Sequence, residues 1–141
     1  MRYIIYILSF FSFSVVYGQT ATVELARQYY QQGETEKALD TYSKLARNPG
    51  NWQLIHTQYF SLLLQTNDYQ KATKYIDRLI KTYPTNAKYK IDKGRIIYEE
   101  KGEDKAENYY KDLANFFSSD PFIARQAAQY YLQLGEREQA V

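Results

Sequence analysis

The sequence predicts an all-α protein, a right-handed α-solenoid of antiparallel helix pairs. Three observations predict it. One short pattern returns at a spacing of 34 residues, as GETEKALDTYSKL at 33–45, NDYQKATKYIDRL at 67–79, KGEDKAENYYKDL at 101–113 and GEREQAV at 135–141. Within the copies the apolar residues follow a helical period, and between them there is neither strand-like alternation nor a long loop. Such repetition describes a unit that cannot bury its own apolar face and leans on the next one.

The first element stands apart from the repeats. Arg2 begins it, Tyr3 to Val16 form an uncharged apolar run, and Val16-Tyr17-Gly18 closes it on a small residue. This is the layout of a secretory signal peptide at 1–18, with Gln19 as the expected mature N-terminus. A membrane anchor is the alternative, but a spanning helix needs about 20 apolar residues; this run is shorter and is followed by polar Gln19 and Thr20. The expectation is an exported protein, periplasmic or associated with the cell envelope, with no stable membrane insertion after cleavage. N-terminal anchoring in the inner membrane is the rival. The chain has no cysteine, so it offers neither a disulfide framework nor a lipoprotein attachment site. Loss of Arg2 with the signal turns 18 basic residues into 17, against 16 acidic ones. That balance argues against capture of nucleic acid, which needs a clustered basic surface.

The repeats follow. Ala38, Ala72, Ala106 and Ala140 mark them. Four residues after the first three stand Tyr42, Ile76 and Tyr110, and three further Leu45, Leu79 and Leu113, the stripe of a buried helical face. Upstream, Leu25, Tyr29 and Tyr30, then Tyr59, Phe60, Leu63 and Leu64, then Ile91, Gly94, Ile97 and Tyr98 show the same period, so each unit holds two helices. The turns inside the units carry Gly33, Asn67, Gly102 and Gly135, where a helix end calls for a left-handed residue. Between units, Pro49 and Pro84 are expected to stop second helices, and Asp120-Pro121 fits an N-cap followed by proline at the first helical position.

With these features the chain resembles the tetratricopeptide repeat family, whose unit is 34 residues of helix, turn, helix. On that resemblance the units run 19–52, 53–86 and 87–120, with a partial fourth at 121–141. The family's small residue at the eighth position of the first helix is matched by Ala26, Gly94 and Ala128, and its eleventh-position residue by Tyr29, Leu63, Ile97 and Tyr131. The marker alanines fill the slot where the two helices of a pair approach most closely. Phe60 stands in the small slot of the second unit, so that pair is expected to open or repack. Thr22, His56, Lys90 and Ala124 stand where the family often has tryptophan.

Little points to catalysis. His56 is the only histidine, which leaves no triad and no histidine metal cluster, and it reads as a packed, hydrogen-bonded side chain. Glu99-Glu100 and Glu103-Asp104 read as a solvated turn and the dipole complement of a helix start. The glycines lie singly in turns and make no phosphate loop. No catalytic residue, cofactor or metal is expected. Tyrosine is the outlier at sixteen, with doublets at 29–30, 109–110 and 130–131; neighbours on a helix diverge by about 100 degrees, which sends one ring to the core and the other to an edge.

What the resemblance implies is a non-catalytic scaffold that binds a protein or peptide segment in a concave groove. By the family's pattern the groove is lined by first-helix residues: Val23, Arg27, Tyr30 and Gln31; Thr57, Ser61, Leu64 and Gln65; Lys88, Ile91, Arg95, Tyr98 and Glu99; Arg125, Gln129, Leu132 and Gln133. Arg27, Tyr30, Gln31, Ser61, Gln65, Lys88, Arg95, Tyr98, Arg125 and Gln129 are the binding candidates. Members that grip a C-terminal carboxylate carry Lys and Asn where this chain has Val23 and Arg27, so that clamp is not expected. The cations beside Tyr30 and Tyr98 point instead to an acidic segment with an apolar anchor. An alternative is the docking or sensor arm of a longer protein whose enzymatic or signalling domain lies beyond residue 141. Glycan capture, a third reading, is disfavoured by the missing lipoprotein cysteine and the single Trp52.

Overall fold

Four of the helices begin where a side chain satisfies an amide donor that has no intrahelical partner. Thr22 Oγ1 accepts from the Leu25 amide at 3.1 Å, Asp68 Oδ1 from Lys71 at 3.1 Å, Asn86 Oδ1 from Lys88 at 3.0 Å and Asp120 Oδ1 from Phe122 at 2.8 Å. A computed structural model describes residues 21–139. The expected signal sequence, Gln19 and the marker Ala140 lie outside the described residues. Among the described residues, seven α-helices succeed one another: α1 (Val23–Gln31), α2 (Thr35–Leu45), α3 (Trp52–Gln65), α4 (Tyr69–Thr82), α5 (Ala87–Lys101), α6 (Glu103–Ser118) and α7 (Pro121–Gln139). Each packs on the next, α1 also meets α3, and α5 meets α7, which makes an all-α solenoid. None of these helices is long and apolar enough to cross a membrane.

The reversals between α1 and α2, α3 and α4, and α5 and α6 turn on Gly33, Asn67 and Gly102, at φ of 72°, 55° and 85°. Asn67 is the one described non-glycine residue there, and its Oδ1 accepts a hydrogen bond from the Tyr69 hydroxyl at 2.6 Å. Pro49 does not stop α2 directly. The helix ends at Leu45, and Pro49 opens a 3₁₀ turn, Pro49–Asn51, capped by Asn48. Trp52 Nε1 then donates to the Ala46 carbonyl at 2.8 Å and fixes the link.

Two cores form. The first gathers Ala38, Tyr42, Ile55, Tyr59, Phe60, Leu63, Ala72, Tyr75, Ile76 and Leu79 from α2 to α4, with Tyr89 and Ile96 of α5. The second holds Ala87 and Ile91 of α5, Leu113 of α6, and Ile123, Ala127 and Tyr130 of α7. Helix α5 is therefore buried on two faces. The marker alanines Ala38, Ala72 and Ala106 are buried as expected. Phe60 is buried as well, stacked on His56 at 5.5 Å, and α3 and α4 approach less closely than α1 and α2 or α5 and α6. Gly94 holds the corresponding slot of α5, where an added Cβ would run into the Tyr110 ring, 2.7 Å from its hydroxyl oxygen.

Further expectations fail in α5 and α7. The turn at Gly135 does not form, because α7 runs unbroken to Gln139. Gly135 is followed by Glu136, Arg137, Glu138 and Gln139, good helix formers with no turn residue among them, and the helix continues through it. Ala127 rather than Ala128 is buried, since α7 lays Ile123, Ala127 and Tyr130 on α5 and α6. Ile96 is buried and Ile97 only half so, because Tyr89, Asp92 and Ile96 form the face turned to α3.

Candidate functional site

The candidate binding residues stand on α1, α3, α5 and α7. On α1, Arg27 and Gln31 are exposed, while Tyr30 is half-buried against the first core. On α3, Gln65 Nε2 reaches Ser61 Oγ at 3.4 Å. On α7, Arg125 and Gln129 are exposed, as is Leu132. On α5, Lys88 lies 5.3 Å from the Tyr130 ring centroid, and Tyr98 is an exposed aromatic at 51%. Ile91 is a correction: it is fully buried, because α7 covers that side of α5, and it cannot line a groove.

Some of these residues meet and others do not. Arg95, Tyr98 and Glu99 line a pocket of 310 Å³ together with Tyr110 of α6. Lys88 and Gln129 line another of 200 Å³ with Asn86, Gln126 and Tyr130. Arg27, Tyr30, Gln31, Ser61, Gln65 and Arg125 line neither.

Beneath the first pocket lies a polar cluster. Asp92 of α5 is fully buried. Its Oδ2 accepts from His56 Nε2 of α3 at 2.8 Å, and its Oδ1 from the Tyr130 hydroxyl of α7 at 2.6 Å and Arg95 Nη1 at 3.4 Å. His56 is 1% exposed, stacks on Phe60 and Tyr75, and meets the Tyr89 ring edge-on at 5.0 Å. Burial holds the imidazole below its ordinary value, and the Asp92 carboxylate opposes that shift without overcoming it. A neutral ring therefore donates a hydrogen bond from Nε2–H to Asp92, and Nδ1 is left buried without a partner. Burial likewise raises the phenols of Tyr75, Tyr59 and Tyr89 and keeps them protonated. The Arg95 guanidinium also lies 5.5 Å from the Phe60 ring.

His56 is packed and hydrogen-bonded, as its sequence context suggests. Sequence reasoning missed Asp92. Its signal was present: Tyr89, Asp92 and Ile96 are spaced as one helical stripe, and an acid inside an apolar stripe needs a buried donor. Tyr110 was also missed as a wall of the pocket, since second-helix residues were assigned to the core alone. Among the described residues, no three His, Cys, Asp or Glu gather as a metal site would require.

The sequence profile of the tetratricopeptide repeat matches residues 21–50 and 60–86, which leaves α5 to α7 outside the matched segments. No curated protein and no solved structure matches the chain.

Proposed function

We propose that this all-α chain, two segments of which match the tetratricopeptide repeat, a family whose repeats generally bind proteins or peptides, is a non-catalytic scaffold of the cell envelope. It holds a protein segment against the faces of α1, α3, α5 and α7, in units divided at 19–52, 53–86, 87–120 and 121–141. The supporting observation is the exposed Tyr98 beside a pocket, on a first-helix series that also presents Arg27 and Arg125. A rigid aromatic group in such a place anchors a partner at low entropy cost, and neighbouring cations speed association. The ligand is an acidic segment with an apolar anchor. Export rests on the layout of residues 1–18.

The experiment places a photo-crosslinking residue at Gln65 of α3 and, as a control, at Lys74 of α4, and identifies the captured protein and the crosslinked segment. Crosslinks to one acidic segment at Gln65 but not at Lys74 are expected. They should be lost in Tyr98→Ala and reduced in Arg27→Ala/Arg125→Ala at unchanged helicity. Retention of the same capture in both variants would move binding off this face.

A further inference from the structure

We infer that the pocket lined by Arg95, Tyr98, Glu99 and Tyr110 receives an arginine side chain of the bound segment. The inference deepens the groove reading and rests on it. By sequence, Arg95 counts as one of the groove's cations. In the folded chain its guanidinium donates to Asp92, whose carboxylate is fully buried, and lies over Phe60, so that its side chain is only 33% exposed. The two opposite charges offset each other at the floor of the pocket. The charge left at the mouth is that of Glu99, which is exposed and has no basic partner among the described residues.

The walls favour the same occupant. Tyr98 presents its ring to the pocket side of α5 with half of its surface open. Tyr110 is held in place, its hydroxyl donating to the Ile91 carbonyl at 3.3 Å and its ring lying against Gly94. Ring faces attract cations through their quadrupole. A planar guanidinium can stack on a phenol while it gives two parallel N–H bonds to one carboxylate. A carboxylate entering the pocket would meet Glu99 and find Arg95 already engaged with Asp92. The bound segment is then mixed in charge, with acids opposite Arg27 and Arg125 and one arginine at Glu99.

The test titrates the isotope-labelled chain with N-acetyl-arginine amide and with N-acetyl-glutamate amide, following backbone amide shifts. The arginine amide should shift α5 around Tyr98 and Glu99 and α6 around Tyr110, saturably, and the glutamate amide should not. Glu99→Gln, on the surface and away from the buried cluster, should weaken the arginine amide about three- to tenfold. The inference falls if the glutamate amide shifts the same residues, if Glu99→Gln binds the arginine amide unchanged, or if neither probe acts. Segment capture that needs Arg27 and Arg125 but ignores Glu99→Gln would keep the groove and remove the arginine pocket. Arginine amide binding at Glu99 with no segment captured at Gln65 would do the reverse.

Discussion

Removal of the Asp92 carboxylate is the sharpest perturbation available in this fold. Asp92→Ala strands two buried donors, the Nε2–H of His56 and the hydroxyl of Tyr130, which bond to Asp92 at 2.8 and 2.6 Å. Each stranded donor costs about 1–3 kcal/mol. Arg95 is part-exposed and can turn to water, so it adds little. Two such donors together set about 2–6 kcal/mol, and because relief from burying a carboxylate stands against it, a net loss in the lower half of that range is expected. Urea denaturation followed by circular dichroism measures it. Tyr130→Phe in the native background should cost about 1.5–3 kcal/mol, the worth of a hydrogen bond to a charged acceptor, and close to nothing once Asp92 is alanine. If Asp92→Ala leaves too little folded protein, Asp92→Asn supplies the second background, where the Tyr130→Phe loss should shrink. A loss below about 1 kcal/mol for Asp92→Ala, or a Tyr130→Phe loss equal in both backgrounds, would refute the hydrogen-bond account.

Stability should also depend on pH through His56. Its pKa is lowered in the fold from 6.5, so the unfolded chain takes up a proton that the folded chain refuses; stability is full above pH 6.5 and falls below it by up to about 1.4 kcal/mol per pH unit, until the folded imidazole titrates. Denaturation at pH 7.5 and 5.5 checks this, and a slope unchanged in His56→Gln would assign it elsewhere. Gly94→Ala should lose up to about 2 kcal/mol, overpacking against Tyr110 outweighing the helix-propensity gain of about 1 kcal/mol. The sign should reverse in a Tyr110→Ala background, and thermal melts of the four proteins decide it. Ala72→Leu should cost about 1–3 kcal/mol, whereas Lys71→Leu loses only an exposed pair with Asp68, worth about 0–1 kcal/mol; equal losses on denaturation would mean that the helix register is wrong.

The helix pairs were legible because their cause is local and repeated. Gly33, Asn67 and Gly102 sit at backbone angles that few residues tolerate, and Ala38, Ala72 and Ala106 at contacts that larger residues would force open. Gly135 carries the same local signal without the same outcome, because the helix formers Glu136 to Gln139 carry α7 straight through it. The candidate site was legible as positions but not as environments. Tyr98 and Arg27 are exposed as expected, while Ile91 disappears under α7 and Arg95 is engaged by an acid one turn away. Those differences depend on which neighbouring helix covers α5, and a single helix's periodicity does not contain that information.

Stacked repeats are commonly treated as beads whose stability is a sum of unit terms and nearest-neighbour interface terms. Asp92 breaks that arithmetic. Its carboxylate accepts one hydrogen bond from α3, behind it, and another from α7, ahead of it. The strength of the α3 to α5 boundary therefore depends on whether α7 is docked, a three-body term that no pairwise sum contains. Fraying of α7 would withdraw the Tyr130 hydroxyl, leave the acid under-solvated against His56, and loosen a boundary that α7 does not border. Unfolding that begins in α7 would advance two boundaries at a time, with the histidine-lined interface giving way in the same step as the one between α5 and α7.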